Sequence, residues 1–234
     1  MDNKFKTIGI LGGIGPSASA NMYVRIIEYM QKTHGAWDDA DFPKVMVYST
    51  SLAGFDENGI DDRELVVADL VEAVKKLEAM GSELIVVACN TVHYFDKQME
   101  AAVNIPIVHM IDEACNDVKK QGFAKIGIAC SQSTRDLMLY SNSLTKIGVE
   151  PIVATDEEQQ IINSAIKDVM AGKQDTQTIQ QLNIVFSRMQ ASGAESILLG
   201  CTELPLAINQ QDTDIQLIDA NHIVVRQAVE LAIH

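Results

Sequence analysis

An internal repeat is the feature of this 234-residue chain that most constrains its fold. Residues 80–91 lie over residues 192–203 without a gap, and each segment carries a cysteine at the same place, Cys89 and Cys201. Two further matches keep the same order along the chain: residues 6–10 with 124–128, and residues 105–112 with 214–219. Three collinear matches predict that the chain consists of two similar halves.

Short apolar runs rich in β-branched residues alternate with longer stretches of helical period, which predicts βα units and a mostly parallel sheet in each half. The strand candidates are Thr7–Leu11, Val45–Ser49, Leu84–Ala88, Ile105–His109, Lys125–Ala129, Pro151–Ala154, Ser196–Leu199 and Ile215–Ile218. Helices are expected between them, for example over Arg63–Met80 and Gln177–Gln190. The predicted fold class is α/β, with two Rossmann-like domains of four strands each, related by a pseudo-twofold duplication.

The matches place the domain boundary near residue 115. We expect residues 1–114 and the C-terminal helix 220–234 to form the first domain, and residues 115–219 the second. Ligands of open parallel sheets bind beyond the carboxyl ends of the strands, where Cys89 and Cys201 fall. If the halves face each other, both thiols reach one bound molecule, so the active site is expected between the domains.

Composition excludes several classes of partner. The formal net charge is −14, which leaves no basic surface suited to nucleic acid or to an anionic membrane. No apolar run reaches the 18 or more residues of a membrane span, and the first residues do not have the pattern of a signal peptide. A chain with its own core has little need of disulfides between its four cysteines, which favours a reduced, cytoplasmic protein.

A glycine-rich turn follows the first strand. Gly13, Gly15 and Ala18 imitate a dinucleotide-binding fingerprint, but the second strand ends in Tyr48-Ser49-Thr50 and lacks the acidic residue that would hold a ribose. No cofactor is therefore expected. The turn is interpreted as an anion pocket for a substrate carboxylate, formed by backbone N–H groups, or as a tight turn before a helix that has Pro16 in its first turn.

The two repeat-equivalent thiols suggest proton exchange at carbon. A thiolate on one face of a carbon atom can remove a hydrogen while a thiol on the other face returns one. A single cysteine at a strand end is usually just buried, but two at matching positions of a repeat favour catalysis. Cys115 is interpreted as a packing residue. Cys130, at the end of the fifth strand, could line the cleft but is interpreted as structural as well. No metal is expected, because the sequence has neither a Cys-x-x-Cys nor a His-x-x-x-His pair.

Four polar residues near the strand ends have two possible roles each. Ser133 and Thr134 could bind a substrate carboxylate or cap the helix that follows them. His93 and Glu203 could orient a thiol or move its proton, or could cap their own helices.

Three motifs in this order resemble the aspartate/glutamate racemase family: residues 12–16 (Gly-Gly-Ile-Gly-Pro), residues 89–93 (Cys-Asn-Thr-Val-His) and residues 200–205 (Gly-Cys-Thr-Glu-Leu-Pro). The resemblance covers almost the whole chain. It implies an amino-acid racemase that needs no pyridoxal phosphate, a homodimer in the family's usual form, and Cys89 and Cys201 as the acid/base pair. The expected substrate-binding residues are Gly12, Gly13, Asn90, Thr91, Ser133, Thr134 and Thr202.

The chain departs from the family pattern at two positions. The loop after the second strand, residues 49–56, has no arginine, and Met170 stands where a lysine is often found. A bidentate partner for a side-chain carboxylate is thus missing, so an amino acid other than aspartate or glutamate becomes a possible substrate. Other reactions of the same superfamily, such as those of a hydantoin racemase or a maleate-isomerase-like enzyme, stay open, as does a small-molecule binding protein without catalysis.

Overall fold

The computed structural model describes residues 4–56, 59–173 and 176–234. The chain divides into two compact units. The first comprises Met1–Phe55, Ile60–Met110 and Asn221–His234, and the second comprises Asp56–Gly59 and Ile111–Ala220. Each unit contains one four-stranded sheet, and every strand pair described in these sheets is parallel. The predicted α/β class with two four-stranded sheets is confirmed.

The sheet of the first unit has the order β2-β1-β3-β4. Its strands are β1 (Ile8–Gly12), β2 (Val45–Ser49), β3 (Leu84–Val87) and β4 (Ile107–Val108). The central strands β1 and β3 are buried along their whole length, as expected for strands covered by helices on both faces. Their carboxyl ends lie side by side, since Leu11 pairs with Val87 and the Ala88 N–H donates to the Leu11 carbonyl.

The helices of the first unit begin and end at recognisable signals. They are α1 (Pro16–His34), α2 (Arg63–Ala79) and α3 (Asp96–Glu100), with 3-10 helices at Asp39–Asp41 and Thr91–Phe95. Proline opens α1, and Gly35 closes it in the left-handed conformation. The Asp62 side chain caps α2 by accepting from the Leu65 N–H.

The second unit repeats this plan, with sheet order β6-β5-β7-β8. Its strands are β5 (Lys125–Ala129), β6 (Glu150–Val153), β7 (Ser196–Leu199) and β8 (Leu217–Asp219). Its helices are α4 (Met110–Gln121), which begins at the last residue of the first unit, α5 (Gln132–Asp136), α6 (Leu139–Lys146), α7 (Asp156–Met170), α8 (Thr176–Ala191) and α9 (Leu204–Ala207). A 3-10 helix spans Gln210–Asp212.

The last helix, α10 (Ala220–Ile233), returns the chain to the first unit. The Lys6 N–H donates to the Ala232 carbonyl, and the Tyr29 hydroxyl donates to Glu230. Among the described residues, no helix is both long enough and apolar enough to span a bilayer.

Candidate active site

Cys89 lies two residues beyond β3, at the carboxyl edge of the first sheet. Cys89 is buried, and so are the next two residues in sequence, Asn90 and Thr91. Asn90 takes helical dihedral angles and occupies the N-cap position of the 3-10 helix Thr91–Phe95, so the chain turns sharply directly after the thiol. The short turn brings the polar groups of this segment to one end of the strand, where the sequence predicts them.

The glycine-rich turn after β1 is shaped by close packing. Gly13 has φ +86°, and a Cβ atom there would overlap the Thr50 carbonyl oxygen. A Cβ atom on Gly12 would collide with Ser19 of α1. The Gly13 N–H donates to Ser19 Oγ at 2.9 Å, and that hydroxyl donates to the Gly15 carbonyl. This N–H therefore has a partner within the turn, and both glycines are explained without a bound anion.

Cys201 occupies the matching place in the second unit, two residues beyond β7. Its Sγ donates to Glu203 Oε2 at 3.1 Å, and Thr202 Oγ1 donates to the same oxygen at 3.1 Å. Glu203 stands at the N-cap position of α9, yet its side chain makes no capping hydrogen bond. A buried carboxylate oxygen is thus placed where it can accept the proton of a buried thiol.

Gly200, which precedes the second thiol, packs against an aromatic ring. A Cβ atom at this position would lie 2.6 Å from Cε2 of Tyr140, a fully buried residue of α6. The Gly200 N–H donates to the Ala129 carbonyl at 2.7 Å, which holds the start of the motif against β5.

Ser133 and Thr134 lie inside the short helix α5, and their predicted alternative role as helix caps is wrong. The cap is Ser131, whose side chain accepts from the Thr134 N–H. Ser131 has the extended backbone conformation of an N-cap residue, with ψ 159°. The Ser133 hydroxyl donates to the Asp56 carbonyl at 3.2 Å. Both side chains are buried beside the carboxyl end of β5.

The other two cysteines lie in environments that keep the thiol protonated. Burial raises the pKa of Cys130 to about 12. Burial, reinforced by the charge of Asp112, raises the pKa of Cys115 to about 12 as well. Because the thiolate is the reactive form of cysteine, these pKa values fit the interpretation of both residues as packing residues.

A group that sequence reasoning missed surrounds His93. Asp96 accepts from His93 and from His109, and Glu100 contacts the other ring nitrogen of His109. His109 directly follows β4, so it reaches the carboxyl edge from a different strand. The available sequence signal was the spacing of His93 and Asp96, which places them one turn apart on neighbouring short helices.

We expect the charge of His109 to stabilise the fold in a pH-dependent way. Its hydrogen bond to Asp96 raises its pKa from 6.5 to about 9, although burial opposes the change. A raised folded-state pKa stabilises the protein fully below pH 6.5, and the contribution is lost as the pH rises to about 9. The shift corresponds to about 3 kcal/mol, which solvent around the half-exposed Glu100 reduces to about 1–2 kcal/mol.

Urea unfolding between pH 6.5 and pH 9.5 measures this contribution. The free energy of unfolding should fall more steeply with pH in the wild type than in the His109→Asn variant, which has no titrating imidazole at this position. Parallel pH profiles for the two proteins would contradict the expectation.

The fold and the strand-end thiols define a class of protein: parallel α/β units in which a cysteine follows the third strand of each sheet order, Cys89 after β3 and Cys201 after β7. Residues 11–228 match the model of the Asp/Glu/hydantoin racemase family, so the chain belongs to that family, as the sequence motifs predicted. The broad specificity amino-acid racemase RacX of Bacillus subtilis is 27% identical over 224 residues, which cover 95% of this chain and 96% of RacX.

Solved structures agree with the assignment. An aspartate racemase homologue from Pyrococcus horikoshii OT3 is 30% identical, with a TM-score of 0.82 over 98% of this chain and all of that one. The aspartate racemase of Picrophilus torridus, at 24% identity, shares the fold with a TM-score of 0.80 over 96% of this chain and 93% of its own.

Proposed function

We propose that the chain is a cofactor-independent amino-acid racemase in which Cys89 and Cys201 act on opposite faces of the substrate α-carbon. One cysteine, as the thiolate, removes the α-hydrogen as a proton and leaves the electron pair on the substrate. The other, as the thiol, gives its proton to the opposite face, so the enantiomer forms and the two sulfurs exchange protonation states. Protons balance, and the scheme requires no pyridoxal phosphate.

The observation that carries the proposal is the equivalent placement of the two thiols. β3 and β7 occupy the same position in their sheets, and each is followed two residues later by a buried cysteine. Carboxyl ends of parallel strands are where substrates of such folds bind. Cys115 and Cys130, with pKa values near 12, are poor candidates for the same chemistry.

Glu203 supplies a base for one of the two thiols. The 3.1 Å hydrogen bond from Cys201 Sγ to its carboxylate provides a direct path for the proton of that thiol. Thr202 donates to the same oxygen and thereby fixes its position. In this proposal Glu203 acts through Cys201 and does not itself contact the α-carbon.

The surroundings favour a substrate with an uncharged side chain. Arg135 donates to the Ala154 carbonyl and to Asp156, which ties its guanidinium to the turn before α7. Arg63 lies over the Tyr94 ring and donates to the Tyr94 hydroxyl. Both guanidinium groups thus already make contacts within the protein, which makes them weaker candidates for binding a second substrate carboxylate. The broad specificity stated for RacX fits this proposal.

We further propose which residues contact the substrate. Polar groups near the strand ends hold the substrate's carboxylate and amino groups: Asn90, Thr91, Ser133, Thr134 and Thr202. Gly12 and Gly13 shape the turn beside them. We also propose that the protein is a cytoplasmic homodimer.

Proton NMR in deuterated water tests reaction class and substrate together. The protein is incubated with each L-amino acid in turn, and the α-proton signal is followed while chiral chromatography detects the D-enantiomer. We expect both changes with at least one amino acid, with neutral side chains preferred over aspartate and glutamate. Alkylation by iodoacetamide should abolish both, and the substrate should protect against it.

The same assay also tests the alternative reactions of the superfamily. A 5-substituted hydantoin and maleate are added to the panel as substrates of related reactions. Turnover of one of these, without α-proton exchange in any amino acid, would overturn the amino-acid racemase proposal. Binding of an amino acid without exchange would indicate a binding protein instead.

A further inference from the structure

The first strands of the two units lead into equivalent residues. The match of residues 6–10 with residues 124–128, continued without a gap, places Gly12 over Cys130. The strand pairing agrees with this alignment, because the residue before each of the two pairs with the last residue of the neighbouring central strand. Gly12 and Cys130 are both buried, and each stands at the carboxyl edge of its sheet, where the chain turns toward a helix.

The carbonyl groups of these two residues accept hydrogen bonds from different kinds of donor. The Gly12 carbonyl accepts from the backbone N–H of Thr50 at 2.9 Å. The Cys130 carbonyl accepts from Nε2 of Gln159, a side chain of α7, at 2.8 Å. Since a buried carbonyl needs a partner, the second unit relies on one side chain for a bond that the backbone provides in the first.

The side-chain amide of Gln159 is held in one orientation. Its Nε2 also donates to Asn163 Oδ1 at 2.8 Å, and a backbone carbonyl only accepts, so the nitrogen of this amide must face Cys130. Gln159 is 1% exposed, and its Oε1 has no hydrogen-bond partner among the residues that the structure describes. A buried amide of this kind is costly compared with an apolar side chain, which indicates that its N–H groups serve a purpose.

The start of α7 also holds the other end of the turn that follows β5. Arg135 donates to Asp156 Oδ1 at 2.9 Å and to backbone carbonyls just before α7. Ser133 and Thr134 lie between these attachments and the one made by Gln159. The Asp156 side chain is 87% exposed, so the hydrogen bond from Gln159 is the buried attachment of the turn.

We infer that Gln159 is a positioning residue for the substrate: its hydrogen bond to the Cys130 carbonyl fixes the turn that presents Ser133 and Thr134. Gln159 acts through this turn and does not itself contact the substrate. The inference rests on the proposed function, in which these two residues help to hold the substrate's carboxylate or amino group. Both groups stay bound while the α-proton moves, so a misplaced turn weakens the binding of substrate and transition state alike.

Gln159→Met tests the inference, because it removes both N–H donors and keeps a side chain of similar length. For the amino acid found by the exchange screen, we expect KM to rise by about tenfold or more and kcat to stay within about threefold, the signature of lost uniform binding. Gln160→Met is the matched control: this neighbouring glutamine of α7 is exposed. The control should keep both constants within about twofold of the wild type.

Amide hydrogen exchange, followed by NMR, examines the turn without any substrate. The Thr134 N–H is bonded to Ser131 Oγ and the Arg135 N–H to the Ser131 carbonyl, so both exchange when the turn opens. We expect both to exchange about tenfold faster or more in Gln159→Met, and at the wild-type rate in Gln160→Met. Amides of the buried strand β7 should keep their wild-type rates, which shows that the variant is folded.

Asn163→Ala takes the place of Gln159→Met if that variant does not fold. It removes the acceptor of the second Gln159 N–H, so KM and the exchange rates of the turn should shift in the same direction by a smaller factor. Wild-type values of KM and of turn exchange in the folded variant would overturn the inference. A tenfold loss of kcat at unchanged KM would do so too.

The two readouts separate this inference from the proposed function. If the turn exchanges faster in Gln159→Met but KM stays at the wild-type value in an active enzyme, Gln159 has only a structural role and the inference fails. If no amino acid exchanges its α-proton in the wild type while the turn responds to Gln159→Met, the proposed function fails and the fixing of the turn by Gln159 stands.

Discussion

Cys201→Ala is expected to reduce racemisation by about 10³-fold or more, because the variant lacks the acid or base on one face of the α-carbon. The rate is measured from both enantiomers of the amino acid found by the exchange screen, with the product resolved by chiral chromatography. Cys115→Ala is the matched control: it removes a buried thiol of the same unit, and burial raises the pKa of that thiol to about 12, which makes it a poor base near neutral pH. Its activity should equal that of the wild type within about twofold.

Cys201→Ala should also distinguish the two enantiomers of the substrate. Cys89 is still present in Cys201→Ala, so it can remove and return the α-hydrogen on its own face. One enantiomer should therefore exchange its α-proton with deuterated water and keep its configuration, while the other enantiomer does not react. Cys89→Ala should show the opposite preference. Wild-type racemisation in either variant would refute the mechanism.

Gly13→Ala is expected to lower the free energy of unfolding by about 3 kcal/mol or more. The backbone at this position has φ +86°, which is unfavourable for a residue with a Cβ atom. The added methyl group would also overlap the Thr50 carbonyl oxygen, and neither β1 nor β2 can move without losing the hydrogen bond from the Thr50 N–H to the Gly12 carbonyl. The loss is measured by urea denaturation.

Gly35→Ala separates the two causes. Gly35 also has a positive φ, +67°, but a Cβ atom there meets no other atom within 4 Å. This variant should lose only about 1 kcal/mol, the cost of the backbone conformation. Equal losses in the two variants would show that the contact with Thr50 contributes nothing.

The sheets were predictable because their strands carry a strong local signal. Apolar side chains make up all four residues of β3 and three of the five residues of β1. The prediction for β2 and β7 agrees with the structure at both ends. The ends of β4 and β8 were not predictable. β4 spans only Ile107–Val108, because it pairs with two residues of β3, and pairing is not encoded in the hydrophobic pattern of one strand.

The candidate site was predictable only where its residues are neighbours in sequence. The turn after β7 carries both Cys201 and Glu203, so their contact could be proposed from spacing alone. The contact of Asp96 with His109 could not be predicted in this way. His109 follows β4, and its position depends on the order of the strands in the sheet. The capping role of Ser131 was missed since three hydroxyl residues compete for it and only backbone dihedral angles decide between them.

The ring of Tyr140 packs against Gly200 and explains why the second cysteine motif contains a glycine. A glycine beside a reactive thiol suggests a backbone that approaches a substrate, yet here it leaves room for an aromatic side chain from a helix sixty residues earlier in the chain. Ala88 holds the corresponding position before Cys89, where the glycine is absent. The glycine of this motif is therefore explained by the packing of one half of the duplication. A search for related enzymes that requires this glycine would select for its packing partner as well as for the chemistry.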